Sequence, residues 1–221
     1  MKNYVMKMII SLLFVSILQT CISNTPPINS SEPIWIPISK VQGMKKAYFA
    51  SGCFWCVEAI YESVKGVSET YSGYAGGLTK NPNYRQIGTG RTGHAEAVEV
   101  IYDPKIVSFE TLVQVFFGSH DPTTANRQGP DYGSQYRSIA FYTSDQEREI
   151  IQDYIQILEE GRYFSKEIVT EIKPLEKFYY AEEYHQDYEK NNTNNPYVKQ
   201  VSIPRLLKFK KQYPELLKEE Y

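Results

Sequence analysis

Residues 47–74 read AYFASGCFWCVEAIYESVKGVSETYSGY, and this stretch decides the fold. The short apolar run over residues 47–50 predicts a strand. Residues 53–65 place branched apolar side chains on one helical face, and Gly66 follows where such a helix would end. Residues 67–74 predict a second strand that leads into two glycines. The stretch therefore predicts a β-α-β unit.

The same order of elements recurs downstream. Residues 95–102 alternate as in a strand, and residues 137–142 predict another. Between them, Ser108 can cap a helix whose apolar residues follow the i, i+3, i+4 rule as far as Gly118. Two such units in succession are the split βαβ pattern of ferredoxin-like sandwiches. We expect an α+β fold, a two-layer ferredoxin-like sandwich with a mixed sheet, and a purely parallel doubly wound sheet is the second possibility.

The remainder of the chain predicts additions to this core. Ser144 and Glu147 form a capping-box pair before a predicted helix that ends near residue 160. Residues 168–172 predict one more strand, and a basic helix is predicted over residues 206–217. Because a Tyr-rich and then an Asn-rich stretch lies between them, we expect a long, partly irregular C-terminal extension of a single domain over residues 45–221.

The first residues predict targeting rather than fold. Two lysines precede an apolar run over residues 8–18, which is typical of a secretory signal over residues 1–20 and short for a membrane span. Cys21 lies three residues after a Leu and resembles the lipidated residue of a bacterial lipoprotein. The alternatives are cleavage of the signal near Ser23 and an uncleaved signal that acts as an anchor. Residues 21–44 are rich in Ser, Asn and Pro and predict a tether. We therefore expect an exported, extracytoplasmic protein with possible membrane attachment through its N terminus.

Composition narrows the function classes. The chain has 221 residues, which fits one domain. Its 24 Lys and Arg against 26 Asp and Glu give a net charge of -2, and this balance argues against nucleic-acid binding. Three cysteines are too few for a disulfide scaffold or a four-Cys zinc site, so we expect no metal. Nothing indicates an obligate partner, and a monomer is expected.

Cys53 and Cys56 form the only C-x-x-C of the chain, where the first predicted strand gives way to a helix. Free N–H groups and the dipole at a helix start favour a thiolate. Cys56 lies one turn further on, within disulfide reach. The motif predicts redox or nucleophilic chemistry. A structural disulfide is the alternative, while a zinc site would need more ligands than this pair.

Two further stretches of the sequence contain polar residues that could belong to a functional site. Residues 88–96, GTGRTGHAE, have the glycine spacing of a dinucleotide fingerprint, but a strand follows them where that motif needs a helix. Glu96 would begin the apolar face of the strand, where burial keeps a carboxyl protonated and able to donate; a solvated strand end is the alternative. Residues 129–137, GPDYGSQYR, form either a site loop or a solvated turn.

These stretches together resemble peptide methionine sulfoxide reductases of the A type, from residue 47 to residue 188. The motifs are GCFWC (52–56), GYAGG (73–77), PNYR (82–85), GRTGHAEA (90–97), HDP (120–122), QGPDYGSQYR (128–137) and YYAEEYHQ (179–186). So many motifs in the order of the family make the resemblance specific.

The resemblance implies an enzyme that repairs oxidised proteins by reducing the S epimer of methionine sulfoxide, in proteins or as the free or blocked amino acid. Cys53 would attack the sulfur and Glu96 would protonate the oxygen, which leaves methionine and a sulfenic acid on Cys53. Matching positions supply two hydroxyls for the oxygen, a further polar residue and an apolar wall for the S-methyl group: Tyr84 and Tyr136, Asp131, and Phe54 and Trp55. No cofactor is implied beyond an external dithiol, thioredoxin or a similar protein.

One position departs from the family pattern. Many members have Gly where Cys56 stands and a resolving cysteine near the C terminus, whereas this chain has no Cys after Cys56. We therefore expect Cys56 to resolve the sulfenic acid as a Cys53–Cys56 disulfide, with direct attack by an external thiol as the alternative. Export would require a thioredoxin-like donor outside the cytoplasm. A thiol–disulfide oxidoreductase and a non-catalytic, lipid-anchored binding module are the competing classes.

Overall fold

The computed structural model describes residues 43–219. The predicted signal over residues 1–20, the lipidation candidate Cys21 and nearly all of the predicted tether lie outside the described residues. Within residues 43–219, none of the helices combines the length and the apolar character that crossing a bilayer requires.

Six of the eight strands in the described part of the chain form one sheet. The strands are β1 (Lys45–Ser51), β2 (Val67–Ala75), β3 (Ala95–Tyr102), β4 (Arg127–Gln128), β5 (Asp131–Tyr132), β6 (Ser138–Tyr142), β7 (Glu171–Pro174) and β8 (Phe178–Tyr180). The order across the sheet is β7-β6-β1-β3-β2-β8, while β4 and β5 pair only with each other. The central position of β3 explains why every one of its residues is buried.

The sheet topology confirms the split βαβ prediction. β3 pairs antiparallel with both β1 and β2, so β1 and β2 run parallel on either side of it. β6 pairs antiparallel with the other edge of β1. β7 joins β6 in parallel and β8 joins β2 antiparallel, which makes the sheet mixed and excludes the doubly wound alternative.

Between residues 43 and 219, six α-helices accompany the sheet. They are α1 (Phe54–Glu62), α2 (Tyr84–Ile87), α3 (Phe109–Gly118), α4 (Asp145–Glu160), α5 (Tyr188–Asn191) and α6 (Ile203–Gln212). The hydroxyls of Ser108 and Ser144 accept backbone N–H groups at the starts of α3 and α4, as their sequence positions predict. A π-helical turn (Val198–Ser202) leads directly into α6.

Several predicted boundaries shift. Helix α1 ends at Glu62 because the Ser63 hydroxyl donates to the Ile60 carbonyl at 2.7 Å and closes the last turn. Gly66 instead opens the turn into β2 with φ of +82°. The predicted strand at 168–172 lies at Glu171–Pro174, where it pairs with β6. The basic helix predicted over 206–217 ends at Gln212, two residues before a proline.

The core lies between the sheet and helices α1 and α3. Phe49 of β1 stacks on Tyr61 and on Phe116, with ring centroids 5.2 Å apart in both pairs. Val98 and Val100 of β3 join the same cluster. Side chains at every second position of a strand point to the same face, so Glu96 lies on the same face as Val98 and Val100. Helix α1 packs on this face next to the Glu96 side chain.

Candidate active site

Cys53 stands at the turn between β1 and α1, where it caps the helix. Gly52 makes that turn possible with φ of +91°, and a Cβ added there would lie 2.6 Å from Cβ of Gln128. Glycine is thus required both by the backbone conformation and by the close approach of a neighbouring loop. The result is a cysteine whose backbone is fixed by a strand on one side and a helix on the other.

A cavity of about 270 Å³ opens at Cys53. Its lining includes all seven residues that the resemblance assigns to catalysis and substrate binding: Cys53, Phe54, Trp55, Tyr84, Glu96, Asp131 and Tyr136. Asn195 and Tyr197 complete it, and sequence reasoning missed both. They lie in the Asn-rich part of the C-terminal extension, where no local pattern marks them. We call this space the Cys53 cavity.

The Glu96 carboxyl is buried beside the start of α1. It is only 2% exposed and accepts a hydrogen bond from the Phe54 backbone N–H at 3.1 Å. The alternative of a solvated strand end is therefore wrong. Burial raises the pKa of Glu96 to about 8, although the Phe54 hydrogen bond opposes the rise; the nearby charge of Asp131 adds to it. At neutral pH the carboxyl carries a proton that it can give to a ligand in the cavity.

Two tyrosines bring hydroxyl groups to the same cavity. Within residues 43–219, neither the Tyr84 nor the Tyr136 hydroxyl has a hydrogen-bond partner, so both are free to bind a ligand. Burial raises the pKa of Tyr84 to about 12 and that of Tyr136 further, which keeps both phenols protonated. The Tyr84 backbone N–H donates to Glu182 at 2.9 Å, which anchors the start of α2.

The apolar side of the cavity is held by an aromatic cluster. Phe54 packs on Tyr84 with ring centroids 6.4 Å apart, and Trp55 stacks on Tyr188 at 3.8 Å. The indole N–H of Trp55 donates to Nδ1 of His185 at 3.1 Å, which requires that nitrogen to be unprotonated. Burial lowers the pKa of His185 to about 4, so the ring stays neutral and holds the tryptophan.

Cys53 and Cys56 are free, buried thiols in the described protein. Burial raises the pKa of Cys53 well above its usual value, so the thiolate expected from its place at a helix start is not favoured. Interaction with the Cys53 thiol and the positive charge of Arg205 lower the pKa of Cys56 to about 7 despite burial. Desolvation thus outweighs the helix dipole at Cys53, and Cys56 is the thiol of the pair that loses its proton more readily.

A hydrogen bond joins the polar loop to the C-terminal extension beside the cysteine pair. The Tyr197 hydroxyl donates to Oδ2 of Asp131 at 2.6 Å and lies 4.0 Å from Sγ of Cys56. Asp131 belongs to the two-residue strand β5, which the sequence did not reveal within its polar loop. The bond fixes a carboxylate and a phenol at the boundary of the Cys53 cavity.

An acidic group lies behind Trp55, away from the Cys53 cavity. Carboxylate oxygens of Glu58, Glu62 and Asp187 come within 4.8 Å of one another, a spacing that a metal ion could occupy. The Ser72 hydroxyl and the Asp187 backbone N–H already donate to Glu58, and burial raises its pKa to about 8. Protein hydrogen bonds and protonation therefore satisfy the buried member of this group. The expectation that no metal is needed stays a prediction.

Known proteins similar to this chain in sequence and structure fall in one family. The family profile described as peptide methionine sulfoxide reductase matches residues 45–217. A protein of Sulfolobus acidocaldarius named peptide methionine sulfoxide reductase MsrA is 45% identical over 172 residues, which are 78% of this chain and 97% of that one. The structure of methionine sulfoxide reductase A of Corynebacterium diphtheriae is 40% identical, with a TM-score of 0.61 and coverage of 69% of this chain and 77% of that one. The reduced form of Mxr1 from Saccharomyces cerevisiae is 35% identical, with a TM-score of 0.64 and coverage of 70% and 88%.

Proposed function

The chain belongs to the peptide methionine sulfoxide reductase family, A type, and is an oxidoreductase, and we propose that it reduces the S epimer of methionine sulfoxide to methionine in oxidised proteins and as the free or blocked amino acid. One observation carries the proposal. A buried carboxyl that is protonated at neutral pH, Glu96, shares a small cavity with a cysteine thiol, Cys53. A sulfoxide oxygen is a poor leaving group until it is protonated, so its reduction needs both groups together.

In the first step, the hydroxyls of Tyr84 and Tyr136 hold the sulfoxide oxygen while Glu96 protonates it. A protonated sulfoxide carries positive charge, which favours the thiolate of Cys53 once the substrate is bound. The Cys53 sulfur attacks the sulfoxide sulfur, and its thiol proton replaces the one that Glu96 gave. The S–O bond of the substrate breaks and an S–O bond forms on Cys53, which leaves methionine and a sulfenic acid.

The aromatic cluster gives the cavity its preference for the S-methyl group. Contacts between sulfur and an aromatic ring contribute about 0.3–1.5 kcal/mol each. The rings of Phe54 and Trp55 line the cavity next to Cys53, and the hydrogen bond to His185 holds the indole in place. A fixed wall on one side and fixed oxygen-binding hydroxyls on the other distinguish the two epimers at sulfur.

In the second step, the Cys56 thiolate attacks the sulfur of the Cys53 sulfenic acid. A disulfide forms, and the hydroxyl group leaves with a proton as water. An external dithiol, thioredoxin or a similar protein, then reduces the disulfide by thiol exchange. Over one cycle, methionine sulfoxide and a dithiol become methionine, a disulfide and water.

The experiment that tests this function supplies the enzyme with each epimer of a blocked methionine sulfoxide separately, with dithiothreitol as reductant, and follows methionine. We expect turnover of the S epimer alone and none by Cys53→Ser. Turnover of the R epimer, or undiminished turnover by Cys53→Ser, would contradict the proposal. If neither epimer reacts while both thiols are intact and insulin disulfides are reduced, the thiol–disulfide oxidoreductase class replaces it.

We also propose that the chain is exported and anchored through a lipid on Cys21. The support is in the sequence, where lysines, an apolar run and Cys21 follow one another in the order of a lipoprotein signal. Cells fed labelled palmitate should label the wild type and Cys56→Ser but not Cys21→Ser. The Cys21→Ser protein should move from the membrane fraction to the soluble extract. If Cys21→Ser is labelled as strongly as the wild type, lipidation of Cys21 is excluded. If the wild-type protein is found in the cytoplasm at its full, uncleaved length, export is excluded.

A further inference from the structure

A second, larger cavity, of about 590 Å³, reaches Cys56. It shares two residues with the Cys53 cavity, Asp131 and Tyr197, whose hydrogen bond forms the partition between the two spaces. Each cavity is therefore lined by one cysteine of the pair. We call this second space the Cys56 cavity.

Arg205 of α6 is fixed in the wall of the Cys56 cavity. Its Nε donates to the Ser119 carbonyl at 2.8 Å, and its Nη2 donates to the Ser51 hydroxyl at 3.3 Å. A Cβ on Gly52 would lie 3.5 Å from its Nη1, so the guanidinium packs against the turn that carries Cys53. These contacts hold a permanent positive charge at the base of the cysteine pair.

The groups that face Cys56 come from three parts of the chain. At the start of its own helix the neighbour is the Cys53 thiol. The C-terminal extension supplies Arg205, whose positive charge favours the Cys56 thiolate, whereas the hydroxyls of Tyr197 and Ser202 donate their protons to Asp131 and Glu189. Glu96 of β3, which is protonated below about pH 8, lies within electrostatic range, and the Asp131 carboxylate beyond Tyr197 is taken by a hydrogen bond. Arg205 thus supplies a positive charge that lowers the pKa of Cys56, and Lys208 lines the same cavity.

We propose that the Cys56 cavity is the entrance for the external dithiol reductant, and that Arg205, fixed in the wall of that cavity, is a positioning residue for Cys56. This inference rests on the proposed function and deepens it. Substrate and reductant would then use separate sides of the cysteine pair, so the reductant need not wait for methionine to leave. A thioredoxin-like protein is the occupant to which the proposal commits, because a dithiol is the reactant that a disulfide requires.

The exchange that this geometry supports runs in two steps. The first thiolate of the reductant attacks Sγ of Cys56, the enzyme disulfide breaks, and its electron pair remains on Cys53 as a thiolate that takes up a proton. The second thiol of the reductant then loses its proton and attacks the first sulfur of the reductant. Cys56 leaves as a thiolate beside Arg205, and the reductant departs as a disulfide, having supplied two electrons.

Trapping tests which sulfur the reductant attacks. The full chain is oxidised by one turnover of the S epimer and mixed with a thioredoxin whose second active-site cysteine is replaced by Ser. We expect mass spectrometry of peptides to find the mixed disulfide on Cys56. A mixed disulfide on Cys53 would overturn the inference. If no methionine forms in the first turnover, the proposed function itself fails, so the two failures are distinguishable.

Substitution tests Arg205. In Arg205→Gln, methionine formation in a single turnover should be unchanged, whereas thioredoxin-driven cycling should slow. A rise of one unit from a pKa of about 7 lowers the thiolate fraction of Cys56 at pH 7 about fivefold. We therefore expect a fall of about fivefold in the cycling rate relative to wild type at pH 7, with an unchanged KM for the sulfoxide and a ratio near one at pH 9.

Two further variants separate charge from structure. Arg205→Lys keeps the charge and should restore most of the cycling rate. Lys211→Gln removes an exposed charge from the end of the same helix and should match the wild type. Normal cycling by Arg205→Gln would overturn the role of Arg205. If Arg205→Lys cycles as slowly as Arg205→Gln and pH 9 does not restore the rate, the role of Arg205 would also be overturned. The slow cycling would then come from damage to the fold rather than from loss of the charge.

Discussion

Replacing Glu96 with Gln should reduce activity while stabilising the protein at high pH. Glutamine has almost the same shape as glutamate, and its side-chain oxygen can still accept the hydrogen bond from the Phe54 N–H. It cannot give up a proton as a carboxylic acid does. The substitution therefore removes the acid and keeps the packing, so its two effects can be read separately.

The effect on activity follows from the protonation of the carboxyl. With a pKa of about 8, roughly nine in ten molecules carry the proton at pH 7, whereas at the usual value of 4.5 only about one in three hundred would. General acid catalysis contributes about 10²–10⁴-fold, so we expect a loss of that size in methionine formation. The wild-type rate should fall about tenfold for each pH unit above pH 8, and the residual rate of Glu96→Gln should not.

The effect on stability has the opposite sign. A carboxyl whose pKa is higher in the folded state stabilises the fold fully only below its unfolded pKa, and that contribution is lost as pH rises through the folded value. For a pKa of 4.5 in the unfolded state and about 8 in the folded state, the folding stability lost relative to low pH is about 3 kcal/mol at pH 7 and about 5 kcal/mol at pH 9. Glutamine does not ionise, so the wild type should lose about 1.4 kcal/mol relative to Glu96→Gln between pH 7 and pH 9.

Urea unfolding at the two pH values measures the stability difference, and initial rates of methionine formation from the S epimer measure the activity. A Glu96→Gln enzyme with the wild-type rate and the wild-type pH profile would refute the assignment of Glu96 as the acid. An equal loss of stability in both proteins between pH 7 and pH 9 would refute the raised pKa.

Three other substitutions test separate parts of the site and fold. Cys56→Ser should form one methionine per molecule and then stop with thioredoxin; normal cycling would move the resolving role elsewhere. The double substitution Tyr84→Phe and Tyr136→Phe should lower kcat/KM at least about tenfold with little change in Tm, because two hydrogen bonds to the transition state are lost and none within the described protein. Burial lowers the pKa of His120 to about 3, so the neutral ring favours the folded state. This contribution to folding stability is complete above the unfolded-state pKa of 6.5 and is lost as the pH falls towards 3. His120→Gln should remove about 2 kcal/mol of the destabilisation measured by urea unfolding between pH 7 and pH 5, and an unchanged pH dependence would contradict this.

The central fold could be predicted from sequence because its elements are long and locally marked. Helix α3 has a cap, a regular apolar face and a stop signal, and β3 is an eight-residue run of mostly apolar side chains. The short strands lack such signals. β8 has three residues, and it exists because Gly73–Ala75 of β2 offers an unpaired edge to which it can bond. A strand that owes its conformation to a partner about a hundred residues away leaves no periodic trace of its own.

The candidate site also has a part that the sequence predicts and a part that it does not. Its seven expected residues lie in short motifs, and the turn at Gly52 and the length of β3 bring those motifs to one cavity. The protonation of Cys53 could not be predicted, since the sequence shows a helix start but not the degree of burial, and burial dominates. Tyr197 is separated by 66 residues from its hydrogen-bond partner Asp131, and no pattern in the Asn-rich stretch connects the two.

The positions of these unpredicted residues explain how a cysteine pair one helical turn apart can serve two reactants. Cys53 and Cys56 are three positions apart, with two residues between them, and each lines a different cavity. The C-terminal extension contributes the Tyr197 hydroxyl to the partition between the two cavities, and its Arg205 supplies a positive charge. With the second sulfur already on α1, the extension is free to act as a rigid wall between the substrate and the reductant.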